Sequence, residues 1–474
     1  MDKERGYSIK PARSAFRIPR ARSWRVWLPV IPERKTATSL SLRLIYGFLG
    51  LIVIGAVLLM LPVSSAAAQS TSPVNAFFTA TSAVCVTGLV VVDTGTYWSS
   101  FGQGVILALI QIGGFGFMTS ATLLLLAFGR RIGLQERLLI GESMGLARLG
   151  GVVRIVRRMA IFTLLAEGIG AAIFFFRFSA DNPLKLAAWK SAFHSISAFN
   201  NAGFDIFGNF QSLTSRQGDY LVVLVTAALI FLGGISFMVI ADVLKVRSLT
   251  RLSLDSKLVL LTTVALLTAG ASIMLYTGLS EPAIFGSVSL PQTALSAFFQ
   301  SVTARTAGFT VINVGGLTHY ALFFIMFLMF VGGASGSTAG GIKVNTFGML
   351  MSTIWSTIRG REHAEAFGRA FSIQQLYRAI AVLMLSLGLV ALAVFLLTVH
   401  EEFSFISLLF ETVSAFGTVG LTTGITPYLS TAGRLIITVT MFIGRLGPLA
   451  LSLALLQRQR PSAYRYPEEM ARIG

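Results

Sequence analysis

The sequence predicts an all-α integral membrane protein made of four parallel copies of one unit: a spanning helix, a short re-entrant helix and a second spanning helix. Three observations carry this expectation. The 474 residues are 54% hydrophobic and only 12% charged, where a soluble globular chain carries about 25% charged residues. Eight apolar stretches are long enough for a bilayer core, which takes a helix of roughly 20 residues. Between them, one glycine-centred motif occurs four times at nearly constant spacing.

The spans are expected at about 44–61, 101–128, 155–176, 220–240, 258–276, 320–358 (interrupted), 376–399 and 435–456. Small residues from Ser64 to Ala68 imitate a signal-peptide cleavage site, but the basic leader and the apolar run before them are both too long for one. Eight spans put both termini on one side. The segments on that side, 1–43, 129–158, 242–257, 342–378 and 457–474, hold 31 of the 38 Lys and Arg. The opposite segments hold 5, and with acids included the two sides carry +20 and −3. The positive-inside rule then predicts a multi-pass cell-membrane protein with both termini cytoplasmic. The net charge of +18 is therefore topological, reinforced by anionic membrane lipid along the arm 1–35, and calls for no nucleic acid. Cys85 is the single cysteine and the four histidines lie far apart, which excludes an intrachain disulfide and a recognisable metal motif. No covalent cofactor is expected.

The four motifs read Ser82-Ala83-Val84-Cys85-Val86-Thr87-Gly88-Leu89, Ser197-Ala198-Phe199-Asn200-Asn201-Ala202-Gly203-Phe204, Val302-Thr303-Ala304-Arg305-Thr306-Ala307-Gly308-Phe309 and Ser414-Ala415-Phe416-Gly417-Thr418-Val419-Gly420-Leu421. Their glycines are 115, 105 and 112 residues apart, a period that marks internal duplication. Gly-Gly follows at 113–114, 233–234 and 332–333, and Gly444-Arg445 holds that register in the fourth copy. The expected divisions are a basic cytoplasmic arm 1–43, repeat 1 at 44–128, repeat 2 with its cytoplasmic linker at 129–240, repeat 3 with a broken second span at 241–358, repeat 4 at 359–456 and a cytoplasmic tail 457–474.

Ahead of three motifs, Ser72-Pro73, Asn182-Pro183 and Pro291 supply helix-starting signals. A helix that ends halfway across a membrane aims its negative dipole end at the centre, where it favours a cation. Irregular backbone at that depth survives only when buried in protein or lining a wet path. Four such ends around one axis make a central cation pore. Its filter would be the backbone carbonyls of Val86-Thr87-Gly88, Asn201-Ala202-Gly203, Thr306-Ala307-Gly308 and Thr418-Val419-Gly420, replacing the hydration shell of a bare ion. The last of these, followed by Leu421, is close to the Thr-Val-Gly-Tyr run of potassium-channel filters.

From the end of the arm onward, the chain resembles the Trk/Ktr/HKT superfamily of potassium transporters. With one span ahead of the first re-entrant helix, it is most similar to KtrB, the membrane subunit of Ktr potassium uptake systems. The resemblance implies K⁺ as the transported ion, bound at Gly88, Gly203, Gly308 and Gly420. Four glycines go with potassium in this superfamily, whereas a serine in the first copy goes with sodium. It also implies a homodimer seated on a cytosolic, KtrA-like ring of nucleotide-binding regulatory subunits. Val86, where Thr306 and Thr418 stand in other copies, departs from the threonine-first pattern.

A gate is expected in the sixth span. The apolar run 321–331 would give about 17 Å of helix at 1.5 Å per residue, short of the ~30 Å core. Gly332-Gly333-Ala334-Ser335-Gly336-Ser337-Thr338-Ala339-Gly340-Gly341 follows, then Ile342-Lys343. The order is not that of a phosphate-binding P-loop, and no strand precedes it. Arg445 would cost ~2.5–3.5 kcal/mol near the midplane unless it faces water or a partner, so it is expected to project into the pore and gate with this loop. Glu411 reads as a buried acceptor bracing the filter. Glu167 is left between an ion pair within the bundle and a coupling site. Competing classes are an Na⁺- or H⁺-coupled symporter, the ion-translocating subunit of a potassium ATPase, and an intramembrane enzyme. A symporter would have only Glu167 as its intramembrane carboxylate at the site, and an enzyme would lack a nucleophile with its base.

Overall fold

The computed structural model describes residues 36–116, 152–286 and 288–447. The arm before residue 36, the linker 117–151, the tail 457–474 and the second parts of the spans expected at 101–128 and 435–456 lie outside the described residues.

Grouped by the repeats expected from the sequence, the helices are these. The first repeat gives α1 (Thr36–Met60), α2 (Pro73–Val84) and α3 (Ser100–Phe115). The second gives α4 (Val152–Phe178), α5 (Leu184–Phe199), α6 (Tyr220–Gly234) and α7 (Phe237–Val246). The third gives α8 (Leu254–Ser280), α9 (Leu290–Thr303), α10 (His319–Phe330) and α11 (Val344–Ile358). A two-residue-strand hairpin, β1 (Glu365–Ala366) with β2 (Arg369–Ala370), precedes α12 (Ile373–His400), α13 (Phe405–Gly417) and α14 (Thr431–Leu446). Among the described residues, α4, α8 and α12 are each long and apolar enough to cross a membrane unaided.

The short helices α2, α5, α9 and α13 are largely buried; α2, α5 and α13 each pack between the flanking helices of their own repeat, and α9 packs against α8. The ring is closed by a second set of contacts: α3 packs on α5, α6 on α9, α10 on α13, and α14 on α2. Each repeat thus leans on the re-entrant helix of the next, and the fourth returns to the first. Leu164, Phe176, Leu261, Val264, Leu392 and Phe395 remain exposed on the long helices. So apolar an outer face would aggregate in water, and it is the surface a bilayer covers.

Local chemistry explains the helix starts, with one departure. Ser72 Oγ accepts from Asn75 N–H, Ser404 Oγ from Ser407 N–H, and Gln292 Oε1 from Ser289 N–H at 3.3 Å. Asn182 caps nothing. Its Nδ2 donates to Phe178 O and its Oδ1 accepts from Lys190 Nζ, both at 3.1 Å, because Pro183 itself occupies the cap of α5.

The continuous span expected over 220–240 is broken. α6 and α7 meet at 93°. The carbonyls of Gly233 and Gly234 are diverted from the helical ladder: Thr338 donates its N–H and Oγ1–H to Gly233 O, and Ala334 N–H donates to Gly234 O. Ser236 then caps a new helix through Met238 N–H. The interruption expected in the third repeat is present between Phe330 and Val344.

Candidate ion pathway

The four glycine turns meet. A Cβ built on Gly88 would stand 2.4 Å from Ala202 O, one on Gly203 3.0 Å from Ala307 O, one on Gly308 2.3 Å from Val419 O, and one on Gly420 2.3 Å from Thr87 O. Each glycine faces the residue before the next repeat's glycine, in cyclic order. The turns also share one backbone form. Two residues before each glycine, Val86, Asn201, Thr306 and Thr418 hold left-handed φ of 56°, 57°, 78° and 49°, and the glycines follow at 89°, 70°, 80° and 94°. Left-handed backbone is unfavourable for non-glycine residues, above all β-branched ones, so its recurrence in four copies marks a geometry the surroundings impose. Val86 adopts it like the threonines; the ring is made of backbone. The Oγ1 atoms of Thr87, Thr306 and Thr418 are buried without a hydrogen-bond partner.

Hydroxyl braces hold these turns, and motif reading alone missed them. Ser82 Oγ accepts from Gly88 N–H and Ser414 Oγ from Gly420 N–H, both at 3.1 Å. Ser197 Oγ donates to Phe204 O and Thr303 Oγ1 to Phe309 O, both at 2.6 Å. The available signal was serine opening three of the four motifs. Glu411 braces the exit of the fourth turn, accepting from Thr423 N–H at 3.0 Å and from the Thr422 and Thr426 hydroxyls. Glu167 has no basic partner among the described residues. It accepts from Asn200 Nδ2 at 2.9 Å and Gln111 Nε2 at 3.3 Å, behind the second turn.

The Gly-Gly register has a packing cause. A Cβ on Gly113, Gly233 or Gly444 would lie 2.1, 1.8 or 2.1 Å from the carbonyl oxygen of Val84, Phe199 or Phe416 respectively. Each of those carbonyls belongs to the residue four before its motif glycine. Only glycine lets the second helix approach the end of the re-entrant helix so closely.

Outside the ring lies a cavity of about 380 Å³ lined by all four glycines and by Asp93 and Asp205. Asp205 sits in the loop after the second turn, where burial pushes its carboxyl up to about 7; the N–H bond from Phe207 opposes this and the charge of Asp93 adds to it.

Inside the ring lies the loop 331–343. A Cβ on Gly340 would meet Thr418 Oγ1 at 2.0 Å, one on Gly332 would meet Thr306 Cγ2 at 3.3 Å, and one on Gly341 would meet Gly417 Cα at 3.3 Å. The glycines of 332–341 therefore allow contact with the glycine turns themselves. Three cations, Arg305 buried and the other two half-buried, hold the loop carbonyls: Arg305 Nη2 donates to Gly332 O at 3.0 Å, Arg445 Nη1 to Thr338 O, and Lys343 Nζ to Ala339 O. Arg445 Nη2 also donates to Gly113 O at 2.6 Å. Arg445, expected to project into the pore and gate with this loop, thus bridges the loop and the first repeat through these two bonds. Ser335 N–H donates to Asn345 Oδ1, completing the loop's ties.

Comparison with known proteins agrees with this architecture. A family model described as TrkH, Cation transport protein, matches residues 38–463. The chain is 42% identical over 422 residues to Ktr system potassium uptake protein B of Bacillus subtilis, covering 89% of this chain and 94% of that one. It is 38% identical to the potassium/sodium uptake protein NtpJ of Enterococcus hirae, covering 90% and 96%. The crystal structure of the potassium transporter TrkH from Vibrio parahaemolyticus shares the fold, with a TM-score of 0.64 at 18% identity over 88% of this chain and 86% of that one. The chain belongs to the TrkH family of cation transport proteins.

Proposed function

We propose that this protein carries potassium into the cell across the cell membrane by selective permeation, without coupled chemistry of its own. The closed ring of Gly88, Gly203, Gly308 and Gly420 carries the reading, supported by relatives named for potassium uptake. K⁺ collects in the outer cavity beside Asp93 and Asp205. It exchanges its water for the carbonyls of residues 86–88, 201–203, 306–308 and 418–420. The inward membrane potential drives it, at about 2.3 kcal/mol per charge per 100 mV. The loop 332–341, clamped by Arg445, is the barrier on the inner side.

The lysine and arginine distribution supports cytoplasmic termini. The relatives' description as members of a Ktr system supports cytosolic regulatory partners, here assigned to a KtrA-like nucleotide-binding ring beneath a homodimer. A second reading, sodium coupling, has one observation behind it: a relative named for both potassium and sodium. Flux of K⁺, Rb⁺ and Na⁺ through the purified chain in liposomes separates the two. Permeation predicts K⁺ and Rb⁺ flux without Na⁺. An absolute Na⁺ requirement would favour coupling, and absence of any cation flux would reject both.

A further inference from the structure

The position three residues before each filter glycine forms a layer just inside the ring, and the repeats fill it with Cys85, Asn200, Arg305 and Gly417. Asn200 is engaged with Gln111 and Glu167. Gly417 lies against the far end of the loop, where a Cβ on Gly341 would meet its Cα at 3.3 Å. Arg305 reaches the near end. It is 7% exposed, and its Nη2 bonds the carbonyl of Gly332, the first residue of the glycine-rich stretch. Its Nε has no partner, and none of the ion pairs among the described residues includes it. A cavity of about 30 Å³ adjoins it, bordered by Asn201, Gly234 and Gly333.

We propose that Arg305 is the hinge anchor of the loop: the third filter turn holds 332–341 shut through the bond to Gly332, and that bond breaks when the loop swings. This rests on the reading of 332–341 as the inner barrier. A buried guanidinium with one acceptor and no counter-charge is poorly compensated. In the dry closed state, Gly332 O is the acceptor that the structure gives it. Opening brings water to the adjoining cavity, which exceeds the roughly 10–15 Å³ that a water needs, and that water replaces the lost carbonyl. The bond therefore holds the closed loop yet is exchangeable once the path is wet. Arg305 acts through the loop, so it is a positioning residue.

The test reads loop exposure apart from transport. In a Cys85→Ala background, Ala339→Cys places a thiol on a loop residue that is buried in the closed form. Its modification by an impermeant maleimide from the cytoplasmic face is timed with Arg305 intact, with Arg305→Met and with Arg305→Lys. Loss of a charge-assisted hydrogen bond predicts labelling faster by on the order of tenfold for Arg305→Met, a smaller rise for Arg305→Lys, and an unchanged K⁺-over-Na⁺ permeability ratio. Unchanged labelling in either folded variant overturns the proposal. Loss of selectivity with faster labelling also overturns it, since Arg305 would then shape the filter. If Arg305→Met does not fold, the lysine variant carries the test. Absence of K⁺ flux in the unmodified chain would reject the transport reading while leaving the labelling result to stand on its own.

Discussion

At the scale of single residues, the filter reading depends on glycines that cannot carry a side chain. Gly88 combines a φ of 89° with a backbone oxygen 2.4 Å from where its Cβ would sit. Gly88→Ser should therefore displace the carbonyl ring, and reversal potentials in K⁺/Na⁺ gradients should move toward Na⁺. An unchanged permeability ratio in a folded variant would remove Gly88 from the filter. Asp205 gives a pH signature. Its carboxyl, raised to about 7 by burial, is neutral below that pH and ionised above it, so the outer mouth attracts K⁺ more strongly as pH rises through 7. A unit charge ~8 Å away in a wet mouth of effective dielectric ~40 contributes about 1 kcal/mol, or about fivefold in KM. Uptake measured between external pH 6 and 8 should show KM falling by about that factor, and Asp205→Asn should abolish the dependence. A pH profile identical in the two proteins would place the titration elsewhere.

Elements are where reading the sequence and seeing the structure diverge. The loop 332–341 was legible because ten small or polar residues interrupt an apolar run. The break after Gly234 was not, because the donor that takes the carbonyl of Gly233 lies 105 residues away, in Thr338. Asn182 looked like a cap until Pro183 took that position. Arg445 was legible as a charge within an apolar span, in place of a glycine, but its two carbonyl partners come from separate elements, the loop and α3. As a clamp with two charge-assisted bonds, each about 1.5–3 kcal/mol, it should hold the loop closed. Arg445→Ala should raise K⁺ flux several-fold in liposomes without partners, and shortening 332–341 should raise it too. Combined, the effects should be less than additive, since both open one constriction. Full additivity would mean two separate barriers. The helix–helix approach is testable in the same way. Gly233→Ala puts a methyl 1.8 Å from Phe199 O, and overpacking of this kind typically costs 1–3 kcal/mol, occasionally more. Thermal unfolding in detergent should show a clear loss of stability, and an unaltered midpoint would contradict the packing account.

For the whole molecule, fourfold repetition made the architecture legible: four glycines at 115, 105 and 112 residues, each after a helix too short to cross. Periodicity could show that the copies exist, but not that each repeat's second helix seats on the next repeat's re-entrant helix and closes the ring. Nor could it show the asymmetry within the ring. The layer of Cys85, Asn200, Arg305 and Gly417 differs in every copy, and only the third and fourth turns touch the loop among these contacts. The central claim is that one ion path runs through the ring. Anomalous diffraction from crystals grown in Rb⁺ tests it most directly. The account predicts anomalous density on the axis, between the carbonyls of Thr87, Ala202, Ala307 and Val419. Density beside Glu167, with none in the ring, would contradict it and make the protein a carboxylate-coupled carrier.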